Sequence, residues 1–215
     1  MNATNKKVLA AAILALSCFA IWTLLVSTVD LAPIGPLGSK VGFASLNGAF
    51  HRLTGVNLQF YLATDWMGLV PFAVAGTSAV LGAIQWIRRK SILRVDRDLL
   101  ALGVFYLTVL AIYVFFEIVV INRRPVLIEG ILEASYPSST TVLVLSVMPT
   151  ALMLLRTRIK RGGFRTAISV ATVAFVALTL ILRILSGVHW ITDIIGGALL
   201  STGLVLLYRA SGSRR

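Results

Sequence analysis

The chain alternates long apolar runs with short polar interruptions, and the runs fall at roughly residues 8–29, 68–87, 99–121, 138–155, 166–185 and 190–208. Each approaches the ~20 apolar residues needed to cross a bilayer as a helix. The pattern therefore predicts an all-α polytopic membrane helical bundle with six transmembrane helices. The fourth run is the shortest and contains Pro149, which predicts a kinked or thinner helix of the kind that packing against neighbours tolerates. Lys6 and Lys7 precede the first run, but that run exceeds the about 7–15 residues of a signal-peptide core and no small-residue cleavage site follows it. It is expected to be a retained helix.

Composition narrows this further, because 58% of residues are hydrophobic and 13% charged, against about 45–50% and about 25% in soluble domains. Residues 1–215 read as a single integral membrane domain. The lone cysteine, Cys18, allows neither an intrachain disulfide nor a cysteine metal site.

The formal charge of +12 would suggest nucleic acid in a soluble protein. Placement removes that suggestion. Fifteen of the twenty basic residues cluster on one side: Lys6 and Lys7, then 88–97, 156–165, Arg209, Arg214 and Arg215. That side carries +13 with Asp96 and Asp98, whereas the other side sums to −1. The positive-inside rule then puts both termini in the cytoplasm. Short juxtamembrane clusters without interleaved aromatics give no nucleic-acid motif.

The segment 30–67 is expected on the extracytoplasmic side. Leu46, Phe50 and Leu53 stand there at helical spacing beside His51 and Arg52. They describe either an amphipathic helix in the interface or a loop tucked over the bundle.

Polar residues at span ends are costly and invite a functional reading. Arg123, Arg124 and Pro125 follow the third run, Tyr136, Pro137, Ser138, Ser139, Thr140 and Thr141 open the fourth, Arg183 closes the fifth, and His189 and Asp193 open the sixth. His189 and Asp193 are four apart, so the carboxylate can reach the imidazole, fix its tautomer and leave one nitrogen free as nucleophile or base. Arg124 and Arg183 supply forks suited to phosphate oxygens. The helix start after Pro137 adds N–H groups and the hydroxyls of Ser138, Ser139 and Thr140. Singly, the histidine and aspartate read equally well as a structural pair, the arginines as snorkelling side chains and Glu117 as a partner of Arg124. Their convergence on one side, at the ends of consecutive helices, describes a phosphate site.

In these residues the chain resembles the type-2 phosphatidic acid phosphatase superfamily of membrane lipid phosphate phosphatases. Its third motif is matched by Arg183, five residues, His189, three residues and Asp193, with Leu182 in place of serine. The Arg-Pro of its first motif is Arg124-Pro125, and Pro137-Ser138 begins its second. The likeness covers about 99–208 and agrees with six spans. It implies His189 as the nucleophile that forms a phosphohistidine, Asp193 as its orienting partner, and Arg124 and Arg183 as the phosphate clamp.

Two positions depart from the pattern. Glu117 stands where the family has lysine, and Thr140 where it has the histidine that protonates the leaving group. General-acid catalysis is worth ~10²–10⁴-fold, most for an alkoxide and least for a phosphate leaving from a diphosphate. The expectation is a membrane phosphatase at the extracytoplasmic face of the cell membrane that favours an isoprenoid diphosphate over a phosphomonoester. The nearby candidates for a replacement or accessory acid are Glu117, Glu129, Glu133 and Tyr136. The alternative is a catalytically impaired lipid-phosphate binder, transporter or regulator. Implied partners are a phosphorylated lipid and membrane lipids. No cofactor or metal is expected, since the two histidines stand far apart without an acidic cluster, and no glycine-rich phosphate loop occurs.

Overall fold

The structure, a computed structural model, describes residues 3–212. Arg214 and Arg215 of the basic side lie outside the described residues. The helices are α1 (Ala3–Thr28), α2 (Ala44–Thr54), α3 (Leu58–Arg89), α4 (Arg97–Ile118), α5 (Ser139–Arg158), α6 (Gly163–Leu185) and α7 (Ile191–Gly212). No strand occurs among the described residues, only isolated bridges. Six helices are long and apolar enough to cross a membrane; the short α2 is not among them.

α5 and α7 form the interior. Half of their spanning positions are buried, against 6% in α1 and α3. Their sequences explain this, because α5 carries Thr140, Thr141, Ser146 and Thr150, all buried, and such groups are cheaper against protein than against lipid. Thr150 Oγ1, for example, donates to the Ser146 carbonyl at 2.7 Å. α5 runs on through Pro149 to Arg158. Small residues let α7 approach it: a Cβ at Gly196 would lie 2.6 Å from the Tyr136 ring, and one at Gly197 would lie 3.0 Å from Thr141. α1 lies along α7 and seals it with Trp22, whose indole N–H donates to the Thr192 carbonyl at 3.1 Å.

α3 departs from the hydrophobic pattern. It begins at Leu58, well ahead of the apolar run at 68, because the Asn57 side chain accepts the Phe60 N–H at 3.0 Å and caps the helix. The expected outer segment 30–67 is therefore shorter than its polarity suggests. It contains α2, which holds Leu46, Phe50 and Leu53 and is tied to α7 by Asn47: its Nδ2 donates to Thr192 Oγ1 at 2.9 Å. The early start gives α3 nearly three extra turns, carrying Tyr61, Thr64 and Asp65.

At the opposite, basic end, Asp96 accepts from Gln85 and Arg89 of α3 and Arg158 of α5 at 2.8–3.0 Å. Those bonds, Arg158 foremost, hold its carboxyl well below the usual carboxylate range. One aspartate thus joins the basic ends of three helices.

Candidate active site

The site lies where α4, α6 and α1 end and α5, α7 and α3 begin. Between α6 and α7, Gly187 adopts φ +65 and lies so close to the Gly55 carbonyl that a Cβ would overlap it. This tight turn brings His189 back over Arg183. His189 is buried at 5% exposure.

Its two ring nitrogens meet partners that fix the proton. Nδ1 lies 3.1 Å from the Ser135 carbonyl, which can only accept, and Nε2 lies 3.0 Å from Arg183 Nη2, which can only donate. The proton therefore sits on Nδ1 and the lone pair on Nε2. Burial above all, then the charges of Arg183 and Arg124, push the imidazole well below its ordinary pKa, so the neutral form prevails.

Asp193 Oδ2 stands 3.7 Å from His189 Nδ1, beyond hydrogen-bond length. The sequence expectation of a direct aspartate–imidazole bond is thus replaced by the Ser135 carbonyl. The carboxylate, fully buried, instead accepts from Asn122 Nδ2 at 3.2 Å and from the Trp190 N–H at 3.1 Å. Asn122 in turn accepts the Gly42 N–H at 3.2 Å, binding the α1–α2 loop to the start of α7.

Arg124 and Arg183 converge on the Tyr61 ring, their guanidinium carbons 5.8 and 5.3 Å from its centroid. Arg183, 1% exposed, donates to Thr64 Oγ1 at 3.0 Å and lies 3.4 Å from Asp65 Oδ1. Arg124 belongs to a hairpin-like connection in which its N–H donates to the Glu133 carbonyl at 3.1 Å. Its Nε also lies 2.9 Å from Glu133 Oε2, so Glu133 rather than Glu117 is its ionic partner. Arg124 Nη1 and Arg183 Nε are buried without a hydrogen-bond acceptor. Buried N–H donors left unpaired are costly, and here both belong to guanidinium groups that face the Tyr61 ring.

The other sequence candidates divide. Ser139 and Thr140 line a cleft that opens at the site. Ser138 is fully buried and used internally, its N–H donating to the Asp193 carbonyl at 3.1 Å and its hydroxyl accepting from Thr141 at 3.0 Å. Tyr136 turns its hydroxyl to Thr23 at 2.7 Å and packs its ring between Phe19 and Phe116. Burial raises its pKa well above the ordinary value, so the structure assigns it to packing. Glu117 is exposed on α4 beside Tyr113. Glu129 is exposed at the tip of the α4–α5 connection, where the 128–131 turn closes. His51 points at the Gly187 carbonyl, Nε2 at 3.1 Å, and lies against Trp190. No group of three or more histidine, cysteine or acidic residues able to hold a metal ion occurs among the described residues.

The sequence reading missed Tyr61, Thr64 and Asp65, although the Asn57 cap and the four-residue spacing of Tyr61 and Asp65 were signals for a helix there.

The family model of the PAP2 superfamily matches residues 99–215. The chain belongs to the PAP2 superfamily. Its fold is similar to the crystal structure of a transmembrane PAP2-type phosphatidylglycerolphosphate phosphatase from Bacillus subtilis, with a TM-score of 0.67 at 16% identity, covering 94% of this chain and 96% of that one. No curated protein sequence matches it. As a PAP2 protein it is a phosphatase-type membrane protein, and the match begins at the start of α4, so the family region holds Arg124, Arg183, His189 and Asp193 while Tyr61 and Asp65 lie ahead of it.

Beyond the arginines runs the cleft, of about 830 Å³, between α3, α4 and α5. Its walls are almost wholly apolar, extending from Asp65, Ser139 and Thr140 at the site to Trp86, Val95 and Leu99 at the basic end. Asp65 to Trp86 along α3 corresponds to a depth of ~30 Å, about that of a bilayer's hydrocarbon core.

Proposed function

We propose that this PAP2 protein hydrolyses a phosphorylated lipid through a phosphohistidine on His189, at the extracytoplasmic face of the cell membrane. One observation carries the reading: a histidine whose Nδ1 proton is held by a backbone carbonyl presents its Nε2 lone pair beside two buried, partly unpaired guanidinium groups. A phosphate held by Arg124 and Arg183 would put phosphorus within reach of Nε2. Attack there forms the N–P bond as the bond to the leaving oxygen breaks, with the electron pair departing on that oxygen. The arginines offset the charge that builds on the remaining phosphoryl oxygens, and Asp193 acts one step removed by fixing the start of α7.

The apolar cleft supports a lipid as the leaving portion, its tail lying between α3, α4 and α5. Thr140 lines the mouth of that cleft, and a hydroxyl is a poor proton donor. A lipid monophosphate leaving from a diphosphate is stable without a proton at neutral pH, whereas an alkoxide is not. We therefore infer that an isoprenoid diphosphate is the preferred class over a phosphomonoester. The basic residues of the opposite end support the extracytoplasmic placement of the site.

The test is phosphate release from a panel of lipid monophosphates and diphosphates by purified protein, beside His189→Ala and Thr140→His. Expected are faster release from the diphosphate, loss of release in His189→Ala, and a gain on monoesters in Thr140→His. Binding of these lipids without release from any of them would instead favour a lipid-phosphate binder.

A further inference from the structure

We propose that Asp65 is the general base of the second half-reaction, activating the water that clears the phosphohistidine. The proposal rests on the phosphohistidine reading above and adds a catalytic residue from outside the stretch matched by the family model.

Hydrolysis of a phosphohistidine needs a water on the side of phosphorus opposite Nε2, in the place the leaving group has vacated, and a carboxylate or imidazole to take its proton. The leaving lipid lies in the cleft, so that water must stand at the cleft mouth. Among the described residues Asp65 is the only acidic one lining the cleft, and Ser139 and Thr140 flank the same mouth. Glu133, the other acidic side chain beside the clamp, pairs with Arg124 and does not line it.

The spacing fits. Asp65 Oδ1 lies 3.4 Å from Arg183 Nη1, and His189 Nε2 lies 3.0 Å from Nη2 of the same guanidinium. Base and nucleophile are thus separated by two contacts and one guanidinium width. Both therefore face one guanidinium, so a phosphoryl group that Arg183 holds on Nε2 has Asp65 for a neighbour, and a water between them would stand ~3 Å from its base. Asp65 is 46% exposed at its side chain, so its carboxylate is open enough to meet a water.

In the step itself, the water oxygen forms a bond to phosphorus as the P–Nε2 bond breaks. The electron pair returns to Nε2, inorganic phosphate departs, and the water proton passes to the Asp65 carboxylate and then to solvent. No other reactant is needed. The same charge does not obstruct the first half-reaction, because a diphosphate's leaving group departs without taking a proton.

The experiment uses the purified full chain in detergent and an isoprenoid diphosphate carrying ³²P in its terminal phosphate. Asp65→Asn is expected to lower steady-state turnover by about 10²–10⁴-fold while labelled enzyme accumulates, and the label is expected to be absent from His189→Ala. Labelling also reports that the variant is folded. Asp65→Glu is expected to recover part of the turnover and to hold less label. If Asp65 merely anchors Arg183, phosphorylation rather than dephosphorylation slows: Asp65→Asn and Asp65→Glu then lose turnover without accumulating label, and the proposal is overturned. Wild-type turnover in Asp65→Asn overturns it as well. Turnover that persists in His189→Ala, or label carried by a residue other than His189, refutes the phosphohistidine reading itself, and the proposal with it.

Discussion

At His189 a carbonyl on one side and a guanidinium on the other determine which nitrogen keeps its proton. Burial and two neighbouring positive charges then disfavour a second proton. The consequence for pH follows in sign: a lowered pKa leaves the neutral imidazole populated to lower pH than an ordinary histidine would allow. The acid limb that His189 imposes on kcat/KM is expected below pH 6.5, the unperturbed value. Rate measurements on a soluble short-chain phosphate across the acid range check this. A His189 limb at or above 6.5 would show that burial and the arginine charges together do not disfavour the imidazolium. Tyr61 belongs to the same scale, since one ring faces both guanidinium groups and spaces them with a single aromatic surface.

Among the elements, the α6–α7 turn does most to assemble the site, because it places Arg183 and His189 face to face across Ser186 and Gly187. Gly187 combines a positive φ with contact against the Gly55 backbone, so two independent constraints exclude a side chain. Gly187→Ala is expected to cost at least about 1–3 kcal/mol and to lower the unfolding temperature in a detergent melt together with activity. An unchanged melt would mean that the α2–α3 loop yields freely. α3 supplies the contrasting case. An apolar-run criterion stops at the threonine and aspartate of its first turns, yet the Asn57 cap and the packing of those turns against Arg183 extend the helix to Leu58. The charge that ended the run is the charge that binds the arginine.

The whole molecule is arranged as a buried pair, α5 and α7, surrounded by four helices whose faces are left to lipid. Glycines line the cleft between α3, α4 and α5, and a Cβ at Gly68, Gly76, Gly82 or Gly103 would project into open space, with no atom within 4 Å. Gly103→Trp is expected to obstruct the cleft and to lower kcat/KM about tenfold or more for a long-chain lipid phosphate, with a smaller effect on a short-chain one. Kinetics on a chain-length series measure the difference, and equal losses at every length would place the tail elsewhere.

The sequence by itself determined what depends on local composition: six spans, the charge asymmetry between the two ends, and the Arg124, Arg183, His189 and Asp193 spacing that carried the resemblance to the PAP2 superfamily. Hydrophobic length and motif spacing are one-dimensional quantities, so a single chain can be read for them. Only the tertiary structure decided which atoms meet. It gave the His189 proton to the Ser135 carbonyl rather than to Asp193, paired Arg124 with Glu133 rather than Glu117, turned Tyr136 into the core, and brought Asp65 from more than one hundred residues away to Arg183. A hydrogen bond is decided within a few tenths of an ångström by packing from several helices at once, and no spacing along the chain encodes that.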